Sequence, residues 1–279
     1  ARWVLYLPAG VVLNEEVRGN VKRTETVVDG QPRIEWLAES TAPILREPGM
    51  PGLSEVAAHV SMSTVPDWET FWKWEQALLV DAFRDSPEVV NLAHTLFAGA
   101  ETASEKIRRI HTYLMTEIRY QQDYERNIAG VKPHAAPQVV ERQYGDCKDK
   151  AVLFITLARL TGLKVEFALV RTRTVGPVRR AVPMQQFNHA IVYVPAQGDI
   201  TNGRFYDPTV DALDVEILRH DDQGTVSAVY DPVSKKHTWR NIPFQPAGLD
   251  RTEYDLIAEI ASDGSLQGDL RVRAVGRWG

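Results

Sequence analysis

Residues 144–154 read Y-G-D-C-K-D-K-A-V-L-F and hold Cys147, the one cysteine of the 279-residue chain. Gly145 permits a sharp turn. Asp146 is a residue type favoured at helix N-caps, so Cys147 falls in the first turn of the helix that follows. From Ala151 to Thr161 the run A-V-L-F-I-T-L-A-R-L-T is apolar on nearly every face. Such a helix is buried on all sides, and Gly162 ends it as the residue just past the C-cap. This predicts a buried helix that presents a thiol at its N-terminal mouth.

A thiol in that position sits where the helix dipole favours an anion, which lowers its pKa and makes it a better nucleophile at neutral pH. Asp149 shares the first turn and would oppose a thiolate that it faced, so it is expected to point away and hold a loop. A lone cysteine is often only a small buried hydrophobe. Here Gly145, Asp146, Lys148 and Asp149 are polar or turn-forming, and the apolar run begins only at Ala151, which favours a reactive role.

A thiol nucleophile needs a histidine to take and return a proton, and a third group to fix the imidazole. Of the seven histidines, His94 and His111 lie in helical patterns, and His111 belongs to the apolar stripe Ile107, Ile110, Leu114, Ile118. His59, His220 and His237 lie in polar stretches with little pattern. His189 alone opens a strong strand pattern, N-H-A-I-V-Y-V over 188–194. Eighteen residues later Asp207 closes R-F-Y-D, residues 204–207, which could pair antiparallel with that strand. Base and orienting acid would then lie side by side across from the helix mouth.

Outward from this centre the pattern divides. Residues 1–64 are runs of strand type broken by Pro-Ala-Gly, Gly-Asn and the hairpin signal Asp29-Gly30. Helices are predicted from Trp68, from Ser86-Pro87 to Gly99, and from the capping box T-A-S-E at 102–105. The Trp68, Phe71, Trp72 cluster falls at helical spacing and reads as core. Val165–Val170 alternates as a half-buried strand does, and residues 171–185 form a basic, proline-containing loop. From Asp250 onward the pattern is a hairpin turning at A-S-D-G-S. The expected fold class is α+β, with a β-rich piece at 1–64, a core at 65–246 and the start of a further β domain at 247–279. The chain begins at Ala1 without Met and ends within a strand-like pattern, which reads as a piece of a longer protein.

R-Q-Y-G-D-C-K-D-K-A, F-N-H-A-I-V-Y-V and R-F-Y-D-P-T, in that order, resemble the three motifs of the transglutaminase-like superfamily. The resemblance implies a papain-like core of helices on an antiparallel sheet, with Cys147 as nucleophile, His189 as base and Asp207 as orienting acid. The flanks I-E-W-L-A-E-S-T-A-P-I-L-R-E-P-G-M-P and V-S-M-S-T-V-P-D-W-E-T-F-W-K-W are similar to the bacterial subset in which a β-rich domain of unknown function precedes the core. The backbone N–H of Cys147 is one natural oxyanion donor. Gln121 or Gln122, after Tyr120, is a candidate for the second, and His134 in the K-P-H loop is a candidate for lining the cleft or holding the loop.

The resulting expectation is cysteine-dependent acyl transfer on amides of a protein or peptide substrate, to water or to an amine. Hydrolysis is favoured, since nothing signals a lysine-accepting site. The alternative is a non-catalytic module that holds a peptide in the same cleft, against which an intact Cys/His/Asp set argues. No cofactor is needed. Asp221-Asp222 alone offers too few oxygens for calcium. The net charge of -5 gives no footprint for nucleic acid, and the basic loop at 171–180 alone does not make one. No apolar run reaches the roughly 18 residues that span a bilayer, so no direct membrane contact is expected from this segment.

Overall fold

A computed structural model describes residues 1–122, 130–209, 214–249 and 251–276. Four strands open the chain: β1 (Arg2–Tyr6), β2 (Asn14–Arg18), β3 (Lys22–Val28) and β4 (Gln31–Leu37). Strands β1, β4 and β3 form one antiparallel sheet. Asp29 and Gly30 join β3 to β4 with φ of 50° and 79°, the doubly left-handed turn that Asp-Gly favours. After α1 (Leu53–Val56), strand β5 (His59–Ser63) returns to pair with β2.

Three helices follow: α2 (Trp68–Leu79), α3 (Pro87–Phe97) and α4 (Ala103–Thr116). Asp67, Ser86 and Thr102 cap them through their side chains. A two-residue strand β6 (Arg119–Tyr120) pairs in parallel with β7 (Tyr144–Gly145), which follows α5 (Ala136–Arg142). The buried helix α6 is Cys147–Arg159.

A five-stranded sheet completes the core. Its strands are β8 (Glu166–Val170), β9 (His189–Val194), β10 (Arg204–Tyr206), β11 (Val226–Asp231) and β12 (Lys236–Asn241), in the order β10-β9-β8-β11-β12, antiparallel throughout. A two-stranded hairpin of β13 (Arg251–Ile260) and β14 (Leu266–Val275) ends the described chain. The architecture is α+β.

Helix α6 is central because both its faces find partners. Ala151, Val152, Leu153, Phe154 and Leu157 are completely buried and share one cluster with Ile107, Ile110 and Leu114 of α4 and Val192 and Val194 of β9. The opposite face of the sheet is also covered: Ile191 packs with Phe205, Leu218, Val229 and Ile242. This corrects the half-buried reading of 165–170. Strands β8 and β9 are buried on both faces, since segments after Asp207 fold back over the far side. Phe154→Ala removes a fully enclosed ring and is expected to cost about 3–5 kcal/mol, read as a lower denaturation midpoint in urea at unchanged slope.

Two histidines were misread from sequence. His59 opens β5, and His237 lies in β12, stacked on Trp72 at 4.2 Å between ring centroids and bonded to the buried Glu75 at 2.9 Å. The strand K-H-T-W-R-N keeps one face solvated, so its sequence looks polar. The aromatic cluster at 68–72 is packing, as expected, closed by Phe187 and Trp239. Within the basic loop Arg173 and Arg180 are exposed, whereas Arg179 is buried, paired with Glu16 of β2 and donating to the Ser54 carbonyl. No described helix is long and apolar enough to cross a membrane.

Candidate active site

The turn before Cys147 is built by contacts that its sequence demands. Asp146 accepts from the backbone N–H of Lys148 and Asp149, while Asp149 Oδ2 accepts from the Asp146 N–H at 3.2 Å, a reciprocal capping box. Gly145 is required by space: a Cβ there would lie 2.7 Å from the Asp149 Cβ. The other oxygen of Asp149 accepts from the His134 N–H at 2.8 Å, and Oδ2 meets its ring Nδ1 at 3.1 Å. Asp149 thus points away from the thiol and holds the 130–135 loop. Lys148, also buried, pairs with Asp146. Burial and the Asp149 charge push the Asp146 carboxyl up, against the pull of Lys148.

Cys147 is partly exposed at the helix mouth, in a cleft lined by Trp74, Leu78, Val131, Phe187 and His189. His189 and Asp207 come together through the β9–β10 pairing, with His189 Nε2 to Asp207 Oδ2 at 3.0 Å. With Nε2 on Asp207, Nδ1 is the remaining ring nitrogen, and Cys147, which lines the same cleft, lies close enough to help raise the imidazole pKa. Burial alone would disfavour the imidazolium. The Asp207 charge and hydrogen bond, then those of Cys147, outweigh it and raise His189 well above its ordinary value.

Asp207 is buried. Thr209 donates to Oδ1 from its backbone N–H at 3.0 Å and its hydroxyl at 2.6 Å, an Asx-type turn built by D-P-T. His111 Nε2 lies 3.1 Å from the Asp207 carbonyl oxygen. Burial lowers the His111 pKa, so its neutral ring donates there. The Asp207 carboxyl is held at about 2: burial opposes its charge, and His189 and Thr209 overcome that.

Gln121 is exposed, and its side-chain oxygen accepts from Arg119 at 2.6 Å. Gln122 is exposed as well. His134 is committed to Asp149, with Arg142 beside its other ring nitrogen at 3.2 Å. The β6–β7 bridge sets Tyr120 opposite Gly145, with its hydroxyl near enough to Cys147 and Asp146 for their charges to act on it. Burial, then the Cys147 and Asp146 charges, raise the Tyr120 pKa, so the phenol keeps its proton as a donor. Tyr120 carried no sequence signal beyond proximity to a motif, Thr209 lay within R-F-Y-D-P-T, and Asp222 was read only as part of Asp221-Asp222. Among the described residues, His189, Asp207 and Asp222 form the group whose ligand-type atoms lie within 4.8 Å of one another, the spacing a cation would need.

Residues 90–200 match the family model described as the transglutaminase-like superfamily. No curated protein matches. A crystal structure from Parabacteroides distasonis, described as a "putative protease", superposes with a TM-score of 0.64 at 16% identity over 88% of this chain. The chain spans 45% of that protein's length. A second structure, described as a "putative cysteine protease" from Cytophaga hutchinsonii, covers 99% of this chain and 84% of its own at 11% identity, with a TM-score of 0.35, too low to support a structural argument.

Proposed function

We propose that this chain, with its match to the transglutaminase-like superfamily at 90–200, carries out cysteine-dependent acyl transfer on amide bonds of a protein or peptide. The observation that carries the reading is the cleft that Cys147 shares with His189, whose Nε2 is fixed by Asp207 Oδ2 at 3.0 Å. Cys147 as thiolate attacks the amide carbonyl carbon, and the carbonyl electron pair moves onto oxygen. Collapse of this intermediate breaks the C–N bond while His189 gives its proton to the departing amine, leaving a thioester on Cys147. Water or an amine then attacks the thioester, with His189 as base, and the thiolate is restored. Asp207 holds the ring orientation and stabilises the imidazolium. The parts before 65 and after 246 act in this reading as flanking β-rich pieces.

Two donors serve the oxyanion: the Cys147 N–H, an orphan of the helix start, and the Tyr120 hydroxyl. Tyr120 takes the role that the sequence suggested for Gln121 or Gln122. Tyr120→Phe is expected to lower kcat by roughly 10²–10³ with KM little changed, measured on any substrate found below.

The test is incubation with a peptide library and a labelled primary amine. Cleaved peptides identify a hydrolase, and label incorporated into peptides a transferase. Neither product, with peptides retained on the protein, would replace this reading with a non-catalytic peptide-binding module.

A further inference from the structure

Asp222 is the group that the mechanism above does not use. It lies in a turn pinned on every side: its N–H donates to the Arg219 carbonyl at 3.2 Å, its carbonyl accepts from the Thr225 hydroxyl at 2.8 Å, and the Gly224 N–H reaches the Ile242 carbonyl at 2.9 Å. Its exposure is 0%. Among the described residues no donor reaches either of its carboxyl oxygens. Its polar neighbours are Asp207 and His189, with ligand-type atoms mutually within 4.8 Å. The nearby cation, Arg219, is held by both oxygens of Asp221 at 3.0 and 2.7 Å.

An ionised carboxylate in that position would be a buried charge with no donor, facing a second carboxylate. Two such groups so close do not both ionise. We propose that Asp222 is a positioning residue: it carries a proton at neutral pH and donates it as an O–H hydrogen bond to Asp207, clamping the carboxylate that orients His189. This rests on the catalytic reading of Cys147, His189 and Asp207. The groups facing Asp222 agree with the assignment. Burial pushes its carboxyl up to about 8, the Asp207 charge adds to that, and His189 and Arg219 oppose it. Asp207 goes the other way, to about 2. The pair therefore divides into one acid and one carboxylate, joined by a single proton. Asp207 then has a partner on each available side: His189, Thr209 and Asp222.

The test compares Asp222→Asn, which keeps a donor, with Asp222→Leu, of similar shape without one. Isotope-edited infrared spectra of the full chain should show a protonated carboxyl that is lost in Asp222→Asn. Alkylation of Cys147 by iodoacetamide at pH 6 should stay near the wild-type rate in Asp222→Asn and fall about tenfold or more in Asp222→Leu, because the orienting group loses its clamp. If Asp222→Leu fails to fold, the infrared band and the Asp222→Asn rate still decide. Absence of the band, or an Asp222→Asn rate well below wild type, overturns the proposal. So does stoichiometric zinc binding that Asp222→Asn abolishes, which would make the cluster a cation site. A wild-type Cys147 that is unreactive at pH 6 would instead defeat the catalytic reading, and the infrared band would still locate the proton.

Discussion

His189→Ala is expected to slow alkylation of Cys147 by iodoacetamide at pH 6 on the order of 10²-fold and to lower amide turnover by roughly 10²–10⁴. The first figure follows from ionisation. A free thiol with a reference pKa of about 8.5 is well under 1% thiolate at pH 6, whereas a thiolate held by an imidazolium does not need the higher pH. His189 can supply that imidazolium because its pKa is raised well above the ordinary range despite burial. Turnover falls for a second reason, the loss of the group that protonates the leaving amine. A variant with the wild-type denaturation midpoint and unchanged alkylation rate would show that the ring does not serve the sulfur.

Asp207→Asn is expected to lower turnover by roughly 10²–10⁴ and to move the alkaline limb of the pH–rate profile downward. The sign follows from what acts on His189. Burial lowers its pKa, while the Asp207 charge is the foremost opposing influence. In the wild type the imidazolium persists as pH rises past about 6.5, so activity extends into the alkaline range. Without the Asp207 charge burial prevails, and the limb falls to the ordinary histidine range or below. Stability gives an independent reading. The Asp207 carboxyl is depressed to about 2, so its contribution is present above the usual aspartate range and is lost as pH falls through about 2. His189 contributes below about 6.5, a contribution lost as pH rises through its higher folded value. The Asn variant should therefore lose less stability than wild type between about pH 4 and 2. An alkaline limb unmoved by the substitution would contradict the role given to Asp207.

Legibility in the sequence followed the locality of the signal. Helix α6 and its cap were readable because Asp146, the first-turn Cys147 and the apolar run are contiguous. The outward role of Asp149 followed from like-charge repulsion, and it holds His134 as that argument required. The β9–β10 pairing was accessible because each strand carries its own pattern and few residues separate them. What could not be read depended on distant folding back. The far face of the sheet is covered by Leu218 and Ile242, so two-sided burial of β8 and β9 left no local trace. His237 looked like a surface residue because its partners, Glu75 and Trp72, are far away in sequence. Tyr120 is brought beside the cysteine turn only by a two-residue parallel bridge to Gly145, and Asp222 is brought near Asp207 only by a turn that closes after β10.

The central claim is covalent chemistry at one sulfur, and acid-quench mass spectrometry tests it most directly. The full chain is mixed with a cleavable peptide identified from the library, quenched within the first turnover and digested. The account predicts an acyl group on the peptide containing Cys147, removable by hydroxylamine and absent from Cys147→Ala. Peptide cleavage that persists in Cys147→Ala, or an acyl group found on any other residue, would contradict it.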